Sequence, residues 1–385
     1  MWVNDINYYT LVGCVMVFLL AILIESLLIP RVLLISKKKR LFDTPDFRKV
    51  HSNPIPRLAG VTFAPAIVLS VLPVLGVLTL LFPDQVSFFD PVFILSSSFF
   101  FCGLFILMLT GVKDDLIGVR YSHKFILQLI AAVCLVCSGI QINHFYGILG
   151  IQEIPSVIGV PFTLLLTVAI INAINLIDGV DGLAAILISI AAIVLGTGLF
   201  MTGTYTYSFL SFSVVGILIP FLRFNFSTNR KIFMGDTGSL VLGYVISFLV
   251  VRCCMLTPYK SPDNPLPVII AASVLFVPLF DTIRVFAVRI IQHKPVFYPD
   301  KNHVHHKLLG LGCSHKQVCL VLGGVTLFHL MVNVCLHQAV NVNILLAINV
   351  VLGVVENMFL NYKRGHLEAK DLSAIAHNES MTKTK

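Results

Sequence analysis

The chain has 385 residues, of which 57% are hydrophobic and only 12% are Asp, Glu, Lys or Arg. A soluble domain carries about 25% charged residues, so a soluble globular protein is excluded, and the near-continuous apolar runs of about 20 residues exclude a β-barrel, whose strands alternate over about 10. The formal charge of +8 does not indicate nucleic-acid binding, because the basic residues sit in short loops between apolar runs.

In chain order the apolar runs predict about eleven membrane-spanning helices: 8–30, 58–82, 92–111, 125–143, 158–175, 183–202, 205–222, 238–256, 266–290, 317–337 and 341–361. No small-residue cleavage site follows the first run, so it reads as a retained helix and not a signal peptide. With the amino terminus outside, the inner segments hold 25 of the 27 Lys and Arg residues, leaving only Arg252 and Lys260 outside. The expected class is therefore all-α, a polytopic transmembrane helical bundle with a cytoplasmic carboxyl terminus. Residues 1–362 form one transmembrane domain, and 363–385 read as a polar, disordered tail. Of nine cysteines, Cys134 and Cys137 form a Cys-x-x-Cys pair inside an apolar helix, with no second pair to complete a zinc site.

Four polar clusters interrupt this pattern, each at the end of a run. A carboxylate at the bilayer centre costs roughly 2.5–3.5 kcal/mol; at the rim it can meet water, a cation and a soluble substrate. Asp114-Asp115 closes the third run. The two acids repel unless a cation stands near, and Lys124 lies ten residues on; they read as a base or metal-facing pair, or as solvated loop acids. Asn172, Asn175, Asp178 and Asp181 recur every third residue up to Gly182, as a helix end unwinding into a loop. Their oxygens suit Mg²⁺ or Mn²⁺, while the glycines alone fit a helix cap and turn. Asp236, between Gly235 and Thr237-Gly238, can cap a helix or belong to a phosphate site at its start. His303-Val-His305-His306, among Lys301 and Lys307, suits an anion better than zinc, since no cysteine accompanies it; a solvated basic loop is the plainer reading. The positive-inside orientation puts all four on the cytoplasmic side. Hard-cation ligands, candidate bases and cations for phosphate together suit phosphoryl transfer to or from a lipid. A transporter for an anionic metabolite is the rival, disfavoured because transporters hold ionisable groups near the midplane.

These motifs, with Asp43-Thr-Pro, Arg48-Lys-Val-His51, Ile55-Pro-Arg57 and Phe233-Met-Gly-Asp236-Thr-Gly-Ser239, resemble those of the polyprenyl-phosphate N-acetylhexosamine-1-phosphate transferases across nearly the whole chain. The His-x-His-His form is similar to the WecA/TagO group. The resemblance implies transfer of an N-acetylhexosamine-1-phosphate, by default that of GlcNAc, from a UDP-sugar to undecaprenyl phosphate. UMP is released, as the first membrane step of a cell-envelope polysaccharide such as O-antigen, at the inner membrane of a bacterium. It implies Mg²⁺, with Mn²⁺ as alternative, held by Asn175 and Asp236. Catalytic roles fall to Asp114, Asp115 and Asp178, and substrate contacts to Lys124, Asp181, Asn225, Phe233, His303, His305, His306, His51 and Arg57. The implied partners are the UDP-sugar, the polyprenyl phosphate and the bilayer, with a homodimer allowed and no nucleic acid. Two departures from the family pattern stand out: Ala59 replaces a glycine, and Ser227–Lys231 replaces a Pro-Ala-type stretch, which bears on Asn225.

Overall fold

The computed structural model describes residues 8–41, 55–82, 91–255, 264–295 and 302–383, with the side chains of 91–93 and 367–383 excepted. The first helix, α1 (Tyr8–Lys39), is followed by a 3₁₀ turn (Ala59–Thr62) that runs into α2 (Phe63–Leu81). Next come α3 (Pro91–Ile117), α4 (Tyr121–Cys137), the strands β1 (His144–Ile148) and β2 (Ile151–Glu153), and α5 (Ser156–Ile177). The chain continues through α6 (Leu183–Met201), α7 (Tyr205–Asn225), α8 (Gly235–Met255), α9 (Leu266–Val274) and α10 (Phe276–Ile291). It ends with the short α11 (Val304–Gly310), then α12 (His315–Leu336) and α13 (Val342–Lys383).

Among the described residues nine helices are long and apolar enough to cross a membrane, α9 and α10 make a tenth if taken as one broken span, and α4 is a shorter apolar helix. Each of the eleven expected runs is thus helical, and the protein is a polytopic helical membrane protein.

The departures from expectation have local causes. The run expected at 266–290 breaks at Leu275, where α9 and α10 meet at 67°. Pro278 has no N–H for the carbonyl four residues earlier, so the ladder is interrupted at that point. α1 passes through Pro30 and ends in Lys37, Lys38 and Lys39, which suit the negative pole of a helix terminus. The loop after α4 holds an antiparallel hairpin, pairing His144 with Glu153 and Ile148 with Ile151. Leu149 and Gly150 turn it with φ of 56° and 76°, as a two-residue hairpin loop of the primed type requires. The polar tail expected to be disordered from residue 363 continues α13 as helix to Lys383; it contains no proline, and Ala, Leu, Glu and Lys favour helix.

α8 is the axis of the bundle. Leu240, Leu242, Tyr244 and Leu249 are all fully buried although they point to different sides. A helix apolar all round belongs in a core. Small residues let its neighbours approach, as is common between membrane helices: a Cβ at Gly111 of α3 would stand 2.2 Å from Thr237 Cα, and one at Gly243 would stand 2.8 Å from Ile171 Cα of α5. These approaches bring the ends of α3 and α5 to the start of α8.

Candidate active site

The start of α8 is the point where three of the four polar clusters meet. Its first amides have no partner within the helix, and Asp115, at the end of α3, supplies one from outside. One carboxylate oxygen accepts Asp236 N–H at 2.8 Å; the other accepts Thr237 N–H at 3.0 Å and the Thr237 hydroxyl at 2.6 Å. Asp115 is thus an N-cap donated by another helix, and both its oxygens are engaged.

Asp114 turns the other way. It accepts Val119 N–H at 2.8 Å, closing the turn before α4, and Lys124 Nζ at 2.9 Å. Lys124 also donates to Asp236, so one ammonium joins the ends of α3, α4 and α8. From α5, Asn175 Nδ2 donates to Asp236 Oδ1 and to Ser239 Oγ, both at 2.7 Å.

The segment after α1 completes the wall. Phe233 N–H donates to Pro56 O at 2.8 Å, Ala59 N–H to Phe233 O at 3.2 Å and Gly60 N–H to Met234 O at 3.0 Å. This short pairing places Arg57 beside Gly235, whose φ of 72° leaves no room for a side chain: a Cβ there would stand 2.1 Å from Arg57 O. Gly60 packs equally close, a Cβ lying 2.0 Å from Gly238 N, whereas Ala59 is fully buried and accommodated.

Together these residues enclose a cleft of about 340 Å³ that Asn175, Asp178, Asp181, Asn225, Phe233 and Asp236 line, with Arg57 and His306 at its edge. Asp178 follows the last turn of α5 and, among the described residues, makes no hydrogen bond or ion pair. Burial, and then the negative charges of Asp236, Asp115 and Asp181, push its carboxyl well above the usual carboxylate range, against the pull of Arg57. Asp181 differs. Burial raises it, but hydrogen bonds from His315 and Lys231, both at 2.6 Å, outweigh burial and hold it below the ordinary value. Asn225 donates to Ile232 O at 2.9 Å, while its Oδ1 is buried with no partner among the described residues.

The histidines have three different settings. His303 bonds Asp281 Oδ2 at 2.8 Å, and Asp281 also accepts Val304 N–H at 3.1 Å and Arg284 at 2.6 Å. His305 is 1% exposed and lies against Gly179, where a Cβ would meet its Nε2 at 2.7 Å. Burial, reinforced by His306 and His303, pushes its imidazole down to about 3, so it is a neutral packing group and not one of three cations. Only His306 reaches the cleft. Of the expected residues, His51 lies outside those described. The rest fall into the cleft (Arg57, Asn175, Asp178, Asp181, Asn225, Phe233, Asp236, His306), into its supporting bonds (Asp114, Asp115, Lys124) or behind it (His303, His305).

Residues 97–254 match the model of glycosyl transferase family 4. A Bacillus subtilis (strain 168) protein, named "Probable undecaprenyl-phosphate N-acetylglucosaminyl 1-phosphate transferase", is 34% identical over 314 residues, 81% of this chain and 82% of that protein. The chain belongs to glycosyl transferase family 4. A decaprenyl-phosphate N-acetylglucosaminephosphotransferase from Mycobacterium leprae (strain TN) is 31% identical over 298 residues, covering 72% of both chains. The undecaprenyl-phosphate alpha-N-acetylglucosaminyl 1-phosphate transferase of Escherichia coli (strain K12) is 24% identical over 296 residues, 75% of this chain and 74% of its own.

Several contributors to this candidate site gave no signal as sequence motifs. Lys231 lies in the segment that departs from the family pattern, yet it pairs with Asp181 and stands 5.4 Å over the Phe233 ring. His315 opens α12 inside a capping box of Ser314 and Gln317. Asp281 is a lone carboxylate in an apolar helix, a recognisable sign of function in membranes.

Proposed function

We propose that this protein transfers N-acetylhexosamine-1-phosphate from a UDP-sugar to a polyprenyl phosphate, at the cytoplasmic face of a bacterial inner membrane. The observation that carries this reading is the convergence of Asp178, Asp236 and Asn175 on one cleft at the helix ends, with Lys124 bound to Asp236 beside it. The names of the relatives support the choice of lipid and sugar, and the positive-inside count supports the choice of side. GlcNAc is the default sugar.

The donor set fits a hard divalent cation. Asp236, Asp178 and Asn175 offer carboxylate and amide oxygens, and the Asp178 carboxyl lines the cleft among like charges with no hydrogen bond or ion pair among the described residues. Among the described residues no three His, Cys, Asp or Glu side chains form a metal cage; that suits Mg²⁺, which takes one or two carboxylates and completes its shell with water and substrate phosphates. When bound, Mg²⁺ supplies positive charge against the two phosphorylated reactants. The need is large: each pair of unit charges 4 Å apart costs roughly 4 kcal/mol at an effective dielectric near 20.

The protein's own groups do the rest. Lys124, held by Asp114 and Asp236, sets a fixed cation beside the diphosphate. Arg57 and His306 add donors at the cleft edge. Asp181, kept ionised by Lys231 and His315, is an acceptor for an N–H of the nucleotide, with Phe233 as the apolar wall. Asp178 is placed to hold or take the proton of the lipid phosphate. Asp115 acts by holding Asp236 and α8 in register. An oxygen of the lipid phosphate attacks the phosphorus that bears the sugar; the bond from that phosphorus to the bridging oxygen breaks, and UMP leaves. One phosphoanhydride replaces another, so the step is close to balanced.

The test uses purified protein, a polyprenyl phosphate and a panel of UDP-N-acetylhexosamines. The expected result is UMP release that needs both the lipid and Mg²⁺ and stops on chelation. Absence of release with every sugar would refute the reading and favour the transporter.

A further inference from the structure

Asp281 does not line the catalytic cleft. It is 3% exposed, yet both its oxygens are engaged. Oδ1 accepts Arg284 Nη2 at 2.6 Å and Val304 N–H at 3.1 Å, and Oδ2 accepts Nδ1–H of His303 at 2.8 Å. Arg284 also donates to Asn302 O at 2.6 Å. One turn of α10 therefore holds Asn302, His303 and Val304, the residues at which α11 begins.

α11 has seven residues, too few to be stable as an isolated helix, so contacts from outside must place it. His303, at its N-cap, gives it no side-chain bond. Asp281 supplies the cap instead, much as Asp115 does for α8. The next turn is tied by Lys307, which donates to Asn357 of α13 at 2.6 Å. Stability alone does not account for a carboxylate at this point, because a buried ion pair is often no better than apolar side chains of the same volume. What the pair fixes is the position of α11.

That position matters because of what α11 carries. The His303 ring stacks on His305, with centroids 5.6 Å apart and planes 12° apart. His305 in turn lies against Gly179, the residue after Asp178, where a Cβ would stand 2.7 Å from its Nε2. His306, next along the chain, lines the cleft. Contacts thus run from Asp281 through His303 and His305 to the loop that bears Asp178. We propose that Asp281 is a positioning residue for the transfer: through the start of α11 it sets where His305 backs the Asp178 loop and where His306 enters the cleft. The role presupposes the transfer reaction proposed for this cleft.

Two variants separate position from stability. Asp281→Leu combined with Arg284→Met removes the ion pair and its bonds but keeps apolar volume, so unfolding temperature should stay near that of the wild type. Asp281→Asn should lower unfolding temperature by leaving the Arg284 charge unpaired. Its amide oxygen still accepts from Arg284 and Val304, and its NH₂ donates to Nδ1 of the other His303 tautomer. UMP release is measured well below each unfolding temperature. The double variant should lose about hundredfold in kcat, the scale of a misplacement of about 1 Å. Its KM for the UDP-sugar should hardly change, because Lys231 and His315 hold Asp181. Asp281→Asn should keep most of kcat. Carbethoxylation of histidines, read by mass spectrometry, reports placement without any substrate: His305 should be protected in the wild type and in Asp281→Asn, and modified in the double variant. The proposal would be overturned by wild-type kcat in the double variant, by kcat lost in Asp281→Asn as fully as in the double variant, or by His305 equally protected in all three proteins. Absence of UMP release from the wild type would refute the transfer reading itself, an outcome that the labelling of His305 keeps distinct.

Discussion

Asp115→Asn separates a cap from a base. In the protein the Asp115 carboxylate accepts three hydrogen bonds at the start of α8, one on the first oxygen and two on the second. Asparagine keeps one acceptor oxygen and can still receive Asp236 N–H. Its amide nitrogen would then face Thr237 N–H, donor against donor. Loss of an N-cap costs about 0.5–2 kcal/mol, and a hydrogen bond to a charged group contributes about 1.5–3 kcal/mol. With some relaxation, roughly 2–4 kcal/mol of local order is lost where Asp236 and Thr237 begin the helix. If that loss falls on the transition state, kcat/KM drops roughly 30- to 1000-fold, at 1.36 kcal/mol per factor of ten. The assay is UMP release by purified Asp115→Asn, paired with hydrogen exchange of the amides at 235–239. The cap account expects lower kcat together with faster exchange at 236 and 237. A variant within threefold of wild type, or an inactive one whose amides exchange as slowly as before, would refute the reasoning; the second outcome would return Asp115 to a chemical role.

Asp236→Asn should abolish turnover while the protein still inserts and purifies, since Lys124 and Asn175 both bind this carboxylate; activity retained in detergent would remove Asp236 from the metal site. Lys231→Met should free Asp181 from one of its two partners and raise the KM for the UDP-sugar by about tenfold with a smaller change in kcat, as steady-state kinetics would report. Gly111→Ala drives a methyl group into the Thr237 backbone, and overpacking of this kind costs about 1–3 kcal/mol, to be read as a lower unfolding temperature in detergent. Glu25, fully buried in α1, accepts the Thr62 hydroxyl; Thr62→Val should cost about 1–3 kcal/mol by leaving the carboxyl without a donor, whereas Thr62→Ser should nearly restore wild-type stability.

The bundle was legible in the sequence because hydropathy and loop charge are strong local signals: all eleven runs are helical, and the acid clusters sit at helix ends. The 67° break between α9 and α10 was less visible, since a proline in a membrane helix can be absorbed as well as obeyed. The hairpin at 144–153 hid in a segment too short to carry its own pattern. Within the site, residue types were legible but division of labour was not. Asp114 and Asp115 are adjacent in sequence, yet one supports a lysine and the other a helix 121 residues away. Lys231 and His315 meet Asp181 across separations of 50 and 134 residues, which no motif spans. The histidines read as one cationic group because their shared loop is basic; burial makes His305 neutral and leaves the cleft to His306.

The central claim is that the sugar travels with its phosphate. Purified protein given a UDP-N-acetylhexosamine labelled in the phosphate next to the sugar, with polyprenyl phosphate and Mg²⁺, tests it directly. The label should appear in the lipid fraction in equal amount to unlabelled UMP in the aqueous one. Label remaining in water as UDP, with only the sugar moved to the lipid, would contradict the account.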